Sequence, residues 1–317
     1  MTVLVITARF DATADRAVHE LNQRGAAVAR FDLAEFPQHS TLTAAFDGTW
    51  HTTLETARRR IDLQQVTGIY YRRPGPITPD PAMNPQEQAW ALAESRHALR
   101  GLLAALPDRV WLNHPRSAAL AESKPVQLQA AAASGLNVPA TLITNDPGAA
   151  RVFAKQHGKI CYKPLTSTAT TGGKVLFATA LQIADLETPQ AANITGAAHQ
   201  FQAWIEAAHA VRLVAIDEQM HAAAIHPHSE AARTDWRSDY PALTYENLEA
   251  PPPVREGVRT LLHRLNLRFA SMDLLVDHDG DWWFIDLNPS GQWCWIPEIE
   301  NPVAASLATA LTEGRIP

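Results

Sequence analysis

Four apolar residues in a row, Val3 to Ile6, follow the start of the chain and give way to a polar, helix-forming stretch that runs to Leu21. A short apolar run without alternation reads as a strand buried on both faces. Gly25 stops the helix, and Val28 to Phe31 supplies a second strand. This strand–helix–strand opening predicts a small open α/β sheet. Phe46-Asp47-Gly48-Thr49 places an Asp-Gly turn among alternating apolar positions, the signature of a hairpin. Ile69 to Tyr71 is another short strand, which runs into Arg72-Arg73-Pro74 and a proline-rich loop. Asn84-Pro85-Gln86-Glu87 then starts a helix: Asn84 caps, proline suits the first helical position and Glu87 reaches back to the cap. That helix is expected to run to about Leu106, with a strand at Val110 to Asn113 behind it.

A second unit begins at Lys124-Pro125 with an alanine-rich helix closed by Gly135. Pro147 to Gln156 reads as a helix, Lys159 to Lys163 as a strand, Thr166 to Gly173 as a loop and Val175 to Thr179 as a strand. Further strands are expected near Phe201, at Val211 to Ile216 and at Met220 to Ile225. Pro251-Pro252-Pro253 enters a helix ending near Leu265, and Phe269 to Val276 and Trp282 to Asn288 flank the turn Asp277-His278-Asp279-Gly280. The fold class is α/β, becoming α+β in the C-terminal part. The expected units are residues 1–114, 115–198 and 199–317.

The chain is long enough for two or three packed units, and its 46% of hydrophobic residues can fill their cores. A net charge of −6 gives a nucleic-acid backbone no global attraction, so no nucleic acid is expected as a partner. The two cysteines, Cys161 and Cys294, make neither a disulfide framework nor a zinc motif. No run approaches membrane-spanning length, and the first residues lack the pattern of a signal peptide. A cytoplasmic protein without a membrane partner is the expectation.

The last hairpin holds the strongest chemistry. Strand alternation projects Asp286 and Asn288 from one side, and Asp273 lies on the neighbouring strand across a short turn. Two carboxylates and an amide oxygen suit a hard cation such as Mg²⁺. The plain alternative is a strand end followed by a turn, but a carboxylate closing the apolar run Trp282 to Ile285 needs a partner. Lys163 ends a strand and precedes a small, hydroxyl- and glycine-rich segment that includes Thr170, Thr171, Gly172 and Gly173. Such a loop can bring backbone N–H groups to phosphate oxygens, although the P-loop order is absent. Lys124 opposes the dipole of the helix it opens, which a phosphate would relieve. Gln202, Ala203, Trp204 and Ile205 form a segment able to offer backbone groups to an adenine edge, or simply a core strand. Arg212, Arg237 with Asp235, Arg72 and Arg73 stand beside apolar or aromatic residues, either as anion ligands or as ion pairs.

In order, Lys124, the segment Gly135 to Thr141, Lys163-Pro164, the Thr/Gly loop, Gln202 to Ile205, Val211-Arg212, Asp273 and Asp286-x-Asn288 resemble the ATP-grasp superfamily. Tyr70-Tyr71-Arg72-Arg73-Pro74 and Asn288-Pro289-Ser290-Gly291-Gln292-Trp293 narrow the resemblance to graspetide (microviridin-type) peptide maturases, nearest their actinobacterial-type branch. The resemblance implies an ATP-grasp fold with an N-terminal open α/β pre-ATP-grasp domain, and ATP and Mg²⁺ as cofactors. It implies a ribosomal precursor peptide, leader plus core, as partner, with a homodimer as a candidate assembly. An Asp or Glu side chain of that peptide would be phosphorylated, and a Thr or Ser hydroxyl or a Lys amine would close an ester or amide ring.

By the same resemblance Lys124 and Lys163 hold phosphates, the Ala203 carbonyl and Ile205 N–H read adenine, and Asp273, Asp286 and Asn288 bind Mg²⁺. Lys163, Arg212 and Arg237 are then the catalytic cations, and Arg72 and Arg73 serve the peptide. The chain departs from the superfamily in two places. Asp286 stands where Glu is common, and His209 stands where an acid commonly holds the ribose. Two other readings compete: a ligase joining a free amino acid to a carboxylate, and a non-catalytic nucleotide- or peptide-binding relative.

Overall fold

The structure, a computed structural model, describes residues 2–106, 110–166 and 178–313. β1 (Thr2–Ile6), α1 (Ala12–Gln23) and β2 (Ala27–Phe31) open the chain, and Val3 to Ile6 are fully buried, as an unbroken apolar run requires. β3 (Ser40–Phe46) and β4 (Trp50–Thr56) form the Asp-Gly hairpin, which β5 (Arg60–Asp62) widens to a small antiparallel sheet. β6 (Val66–Tyr71) is followed by α2 (Pro85–Ala104), where Asn84 and Glu87 make the capping box, and by β7 (Val110–Leu112). The parallel sheet runs β2-β1-β6-β7.

The middle of the chain contains α3 (Pro115–Ala121), α4 (Lys124–Ala133), β8 (Thr141–Thr144), α5 (Pro147–His157), β9 (Ile160–Lys163), β10 (Thr179–Leu181) and β11 (His199–Ala203). Its antiparallel sheet runs β10-β9-β11-β8, with α5 packed on it around Ala150, Ala154 and Phe201. β11 thus joins the central sheet, and a division at residue 198 would cut it off from its partners. The sequence hides this because only three residues, 204–206, separate β11 from the next strand.

The last unit has β12 (Ala207–Ile216), β13 (Gln219–Pro227), α6 (Glu230–Thr234), β14 (Leu243–Leu248), α7 (Pro252–Arg264), β15 (Phe269–Asp277), β16 (Trp282–Asn288) and α8 (Pro297–Thr312). Its antiparallel sheet runs β14-β13-β12-β15-β16 and has a core on each face. One core packs Leu213, Met272, Phe284 and Leu287 against α4 and α7. The other packs Val214 and Ile216 against α8, which also covers Val3 and Val5 of the first sheet. The first and last units therefore share a core through α8. Asn113 strengthens the junction: its amide donates to the carbonyls of Phe269 (2.7 Å) and Pro289 (2.8 Å) and accepts from the N–H groups of Arg268 and Phe269.

The sequence reading does not contain α3, α6, α8, β5 or β14. For α8 the physical reason is plain. Its buried residues Ile299, Val303, Ala304, Leu307, Ala308, Ala310 and Leu311 surround much of the helix, so no single apolar stripe marks it, and Pro302 lies inside it.

Candidate active site

The site begins with an irregularity in the last hairpin. Asp273 pairs with Asp286 and Ser271 with Asn288, whereas Leu274 pairs with Phe284. Ile285 is therefore an extra residue, a β-bulge. Trp282, Phe284 and Leu287 all lie in the core. Strict alternation from Phe284 would turn Asp286 into that core as well; the bulge re-aims it to the opposite face, beside Asp273.

On this face each carboxylate meets a cation. Arg212, on β12, donates from Nη1 to Asp273 Oδ1 at 2.7 Å and from Nη2 to the Gln292 carbonyl at 2.7 Å. Lys124, at the first position of α4, donates to Asp286 Oδ1. Gln127, one turn later, is buried and fixes that approach. Its amide donates to the carbonyls of Ala121 (2.6 Å) and Leu287 (2.8 Å), and its oxygen accepts the Leu287 N–H at 3.1 Å. Asn288 Oδ1 accepts the Ser290 N–H at 2.9 Å, turning the chain toward Gly291. A Cβ at Gly291 would stand 2.3 Å from Ser271 Cβ and 3.0 Å from Arg212 Nη2, so only glycine fits there.

Lys163 ends β9 and donates to Gln202 Oε1 at 3.2 Å; Gln202 in turn donates to Thr141 Oγ1 at 3.1 Å. Burial pushes the Lys163 amine below the usual lysine value; Asp286 and Cys161 oppose this, and Lys124 and Arg237 add to it. Arg237 grips Asp235 with both Nε (2.8 Å) and Nη2 (2.7 Å). Burial disfavours the Arg237 charge, but Asp235, with Asp273 and Asp286, more than offsets it and raises the pKa. Asp235 Oδ2 also accepts the Ala178 N–H at 3.0 Å. Four cations, Lys124, Lys163, Arg212 and Arg237, thus meet three carboxylates, Asp235, Asp273 and Asp286. A protein of net charge −6 concentrates positive charge here, which suits a polyphosphate.

For a metal, the donor set is informative. Among the described residues no three His, Cys, Asp or Glu side chains converge. Two opposed carboxylates and a neighbouring amide oxygen are a hard-cation set that leaves several positions to phosphate and water, as Mg²⁺ prefers. Arg212 Nε and Ser271 Oγ are buried beside this set without a partner among the described residues.

The remaining residues singled out from the sequence fall differently. Ala203 ends β11, and its N–H donates to the Ala140 carbonyl at 2.8 Å. The Trp204 ring lies under Lys159 Nζ at 3.8 Å from its centroid. Ile205 lies in the link to β12, where its N–H has no partner among the described residues. His209 pairs obliquely with His226 at 5.4 Å between ring centroids. Strand alternation puts it on the face of Val211 and Leu213, opposite Arg212. Thr170, Thr171, Gly172 and Gly173 lie outside the described residues.

Arg72 and Arg73 part company. Arg72 is 3% exposed; it donates to Asp11 Oδ2 at 2.6 Å and to the carbonyls of Ser290 (3.0 Å) and Gly291 (2.9 Å). Arg73 is exposed, and its guanidinium has no bonded acceptor among the described residues. Burial, then the neighbouring charge of Arg72, lowers its pKa, with Arg212 contributing. Asp11, Asn113 and Gln127 escaped the sequence reading. Gln127 alone left a trace, as a lone amide on the apolar side of an alanine-rich helix.

Residues 2–119 match the family model of the MvdD pre-ATP grasp domain. No curated protein matches the chain. Among solved structures, the chain is similar to a Chryseobacterium gregarium RiPP-associated ATP-grasp ligase in complex with ADP and a leader and core peptide. Identity is 28%, coverage 98% of this chain and 96% of that one, and the TM-score 0.89. It is also similar to the macrocyclase MdnC of Microcystis aeruginosa MRC, bound with precursor peptide MdnA: identity 25%, coverage 99% and 100%, TM-score 0.86. The ATP-grasp ligase PsnB, complexed with a minimal precursor variant, Mg and ADP, matches at 24% identity, 97% and 98% coverage and a TM-score of 0.78, a likeness that bears on the fold. By its N-terminal domain and a likeness that runs the length of the chain, this protein has an ATP-grasp fold behind an MvdD-type pre-ATP grasp domain and is similar throughout to RiPP-associated ATP-grasp ligases.

Proposed function

We propose that the protein uses ATP and Mg²⁺ to phosphorylate Asp or Glu side chains of a ribosomal precursor peptide and then closes macrocycles on them. A Thr or Ser hydroxyl displaces phosphate to give an ester, or a Lys amine to give an amide. The observation that carries the reading is the convergence of Lys124, Lys163, Arg212 and Arg237 on the face that presents Asp273 and Asp286. The similar ligase with ADP, leader and core, and the macrocyclase with its precursor, supply the peptide.

Asp273, Asp286 and Asn288 would hold Mg²⁺, which neutralises phosphate charge when bound. Lys124 and Lys163 bind phosphate oxygens. Gln202 orients Lys163 through its 3.2 Å bond. Ile205 offers an N–H to the adenine edge beside Trp204. Arg212, held by Asp273 and Gln292, and Arg237, held by Asp235, stabilise charge on the transferring phosphoryl group and on the departing phosphate. Both arginines are fixed before reaction, so positioning rather than a protein nucleophile does the work. Arg73 is free to meet the peptide carboxylate. The two unpaired cysteines agree with a cytoplasmic setting.

Co-expression with a neighbouring small precursor gene, followed by mass spectrometry, tests the reading. Each ring appears as loss of one water, and ADP forms in step. ADP release driven by a free amino acid, with the precursor mass unchanged, would replace it with the amino-acid ligase reading.

A further inference from the structure

A cavity of about 720 Å³ opens outside the carboxyl ends of β6 and β7, between α2 and α3. In open α/β sheets ligands bind outside the carboxyl ends of the strands where the strand order reverses, here between β1 and β6, and this cavity opens one strand further along the same edge. It is walled by α2 of the first unit and α3 of the middle one, and its lining includes neither Lys163 nor Asp286. Its inner end reaches Arg72 and Ser290, in the loop that Arg212 also holds at Gln292.

The lining breaks local rules in the same direction twice, with three arginines. Arg96 and Arg100 stand four residues apart on α2, both exposed, and like charges at that spacing destabilise a helix. Arg116 sits in the first turn of α3, where a cation opposes the helix dipole. Among the described residues none of the three side chains has an acceptor, and Glu122 is the only carboxylate lining the cavity. Nothing in the fold rewards these placements, and rules broken locally without compensation mark functional sites. Trp90, 66% exposed, stands on the same side of α2 as His97 and Arg100. Arginines with an exposed aromatic are the usual anchors of a peptide-binding surface.

We infer that this cavity binds an acidic stretch of the peptide substrate, with Arg96, Arg100 and Arg116 taking its carboxylates. The inference rests on the peptide reading above. It gives the substrate a path from the α2 surface to the Ser290–Gln292 loop.

The test measures anisotropy of a fluorescent peptide of alternating Glu and Gly, without nucleotide, against a Gln-Gly control. The Glu peptide binds, the control does not, and added salt weakens binding. R96E/R100E, changed at two exposed positions, weakens it at least about tenfold, because two attracting charges become repelling ones. R96K/R100K keeps most of the affinity. Labelled ADP binds wild type and both variants alike. Equal affinity of wild type and R96E/R100E for the Glu peptide, or no binding by wild type, overturns the inference. So does loss of ADP binding in R96E/R100E, which would make the cavity a nucleotide site. A wild type that binds the Glu peptide through these arginines but never removes water from a precursor refutes ring closure and leaves the cavity assigned.

Discussion

Lys124 and Asp286 are each other's ion-pair partners across α4 and β16. In the roles proposed above, a phosphate-binding cation and a metal-binding carboxylate thus hold one another in place. Phosphate and Mg²⁺ arriving together satisfy both groups, whereas either alone strands one of them. Removing the charge of Asp286 leaves Lys124 its phosphate but takes one carboxylate from the metal set. Asp286→Asn is expected to lower ATP turnover by on the order of a thousandfold. The melting temperature should move little, because the side chain is only partly buried. Turnover near wild type in the folded variant would remove Asp286 from the site.

Gln127 sets the distance between those two groups without touching a ligand. Gln127→Ala leaves the Leu287 N–H without its side-chain acceptor and removes a buried amide, a loss of roughly 1–3 kcal/mol. Because α4 is then free to shift, ATP affinity should fall along with stability. Gln127→Glu can still accept from Leu287 but cannot donate to the Ala121 and Leu287 carbonyls, and should be no better than Ala. A variant that loses stability with unchanged ATP affinity would make Gln127 purely structural.

Lys163 gives the site a pH signature. Its pKa lies below the usual 10.5, chiefly through burial. ATP affinity should therefore decline as pH rises through that lowered value, at a pH where an exposed lysine would still be charged. For folding the sign reverses: the folded state binds fewer protons, so stability rises with pH between the lowered value and 10.5. Lys163→Arg keeps its charge throughout and should flatten the affinity profile. A wild-type profile as flat as that of the Arg variant would show that Lys163 does not meet phosphate. Lys163→Ala should lose turnover as Asp286→Asn does.

Much of this was legible in the sequence because strand ends and turns announce themselves locally. The Asn84 capping box, the Asp47-Gly48 hairpin and the last hairpin all rest on neighbours in sequence. What escaped depends on distant partners. The bulge at Ile285 shows only once Phe284 and Leu287 are both seen in the core. Arg72 reads as one of two equivalent arginines until Asp11 and the Ser290 carbonyl appear around it. β11 looks like the start of the last unit because nothing local says that its hydrogen bonds go to β8 and β9.

Arg72 and Arg73 should therefore separate by experiment. Arg72→Ala strands the buried Asp11 carboxylate and two carbonyls, and is expected to destabilise by roughly 3–5 kcal/mol. Burial raises the Asp11 pKa, but Arg72 outweighs it, and the net shift is downward from 3.8. Its contribution to stability is present above 3.8 and fades as pH falls through the lowered value; in Arg72→Ala this acid-side slope should shrink. Arg73→Ala should keep its melting temperature and ATP affinity while the KM for peptide rises. An Arg73→Ala variant with wild-type peptide kinetics would remove that arginine from substrate binding.

Gly291 offers the sharpest steric test, because its neighbours are known atom by atom. A Cβ there would lie 2.3 Å from Ser271 Cβ and 2.6 Å from Ser271 Oγ, with Arg212 Nη2 at 3.0 Å. Real contacts do not come so close, so Gly291→Ala must displace the loop. That loop supplies the Gln292 carbonyl to Arg212 and the Ser290 and Gly291 carbonyls to Arg72. Overpacking of this kind costs typically 1–3 kcal/mol. Here it should also lower kcat, since Arg212 loses its fixed position opposite Asp273. Removing the obstructing side chain should restore both. The double variant Ser271→Gly with Gly291→Ala is expected to be more stable and more active than Gly291→Ala alone, with a coupling energy well outside the ~0.5 kcal/mol seen for independent sites. Strictly additive effects in that cycle would show that the Gly291 requirement comes from somewhere other than Ser271.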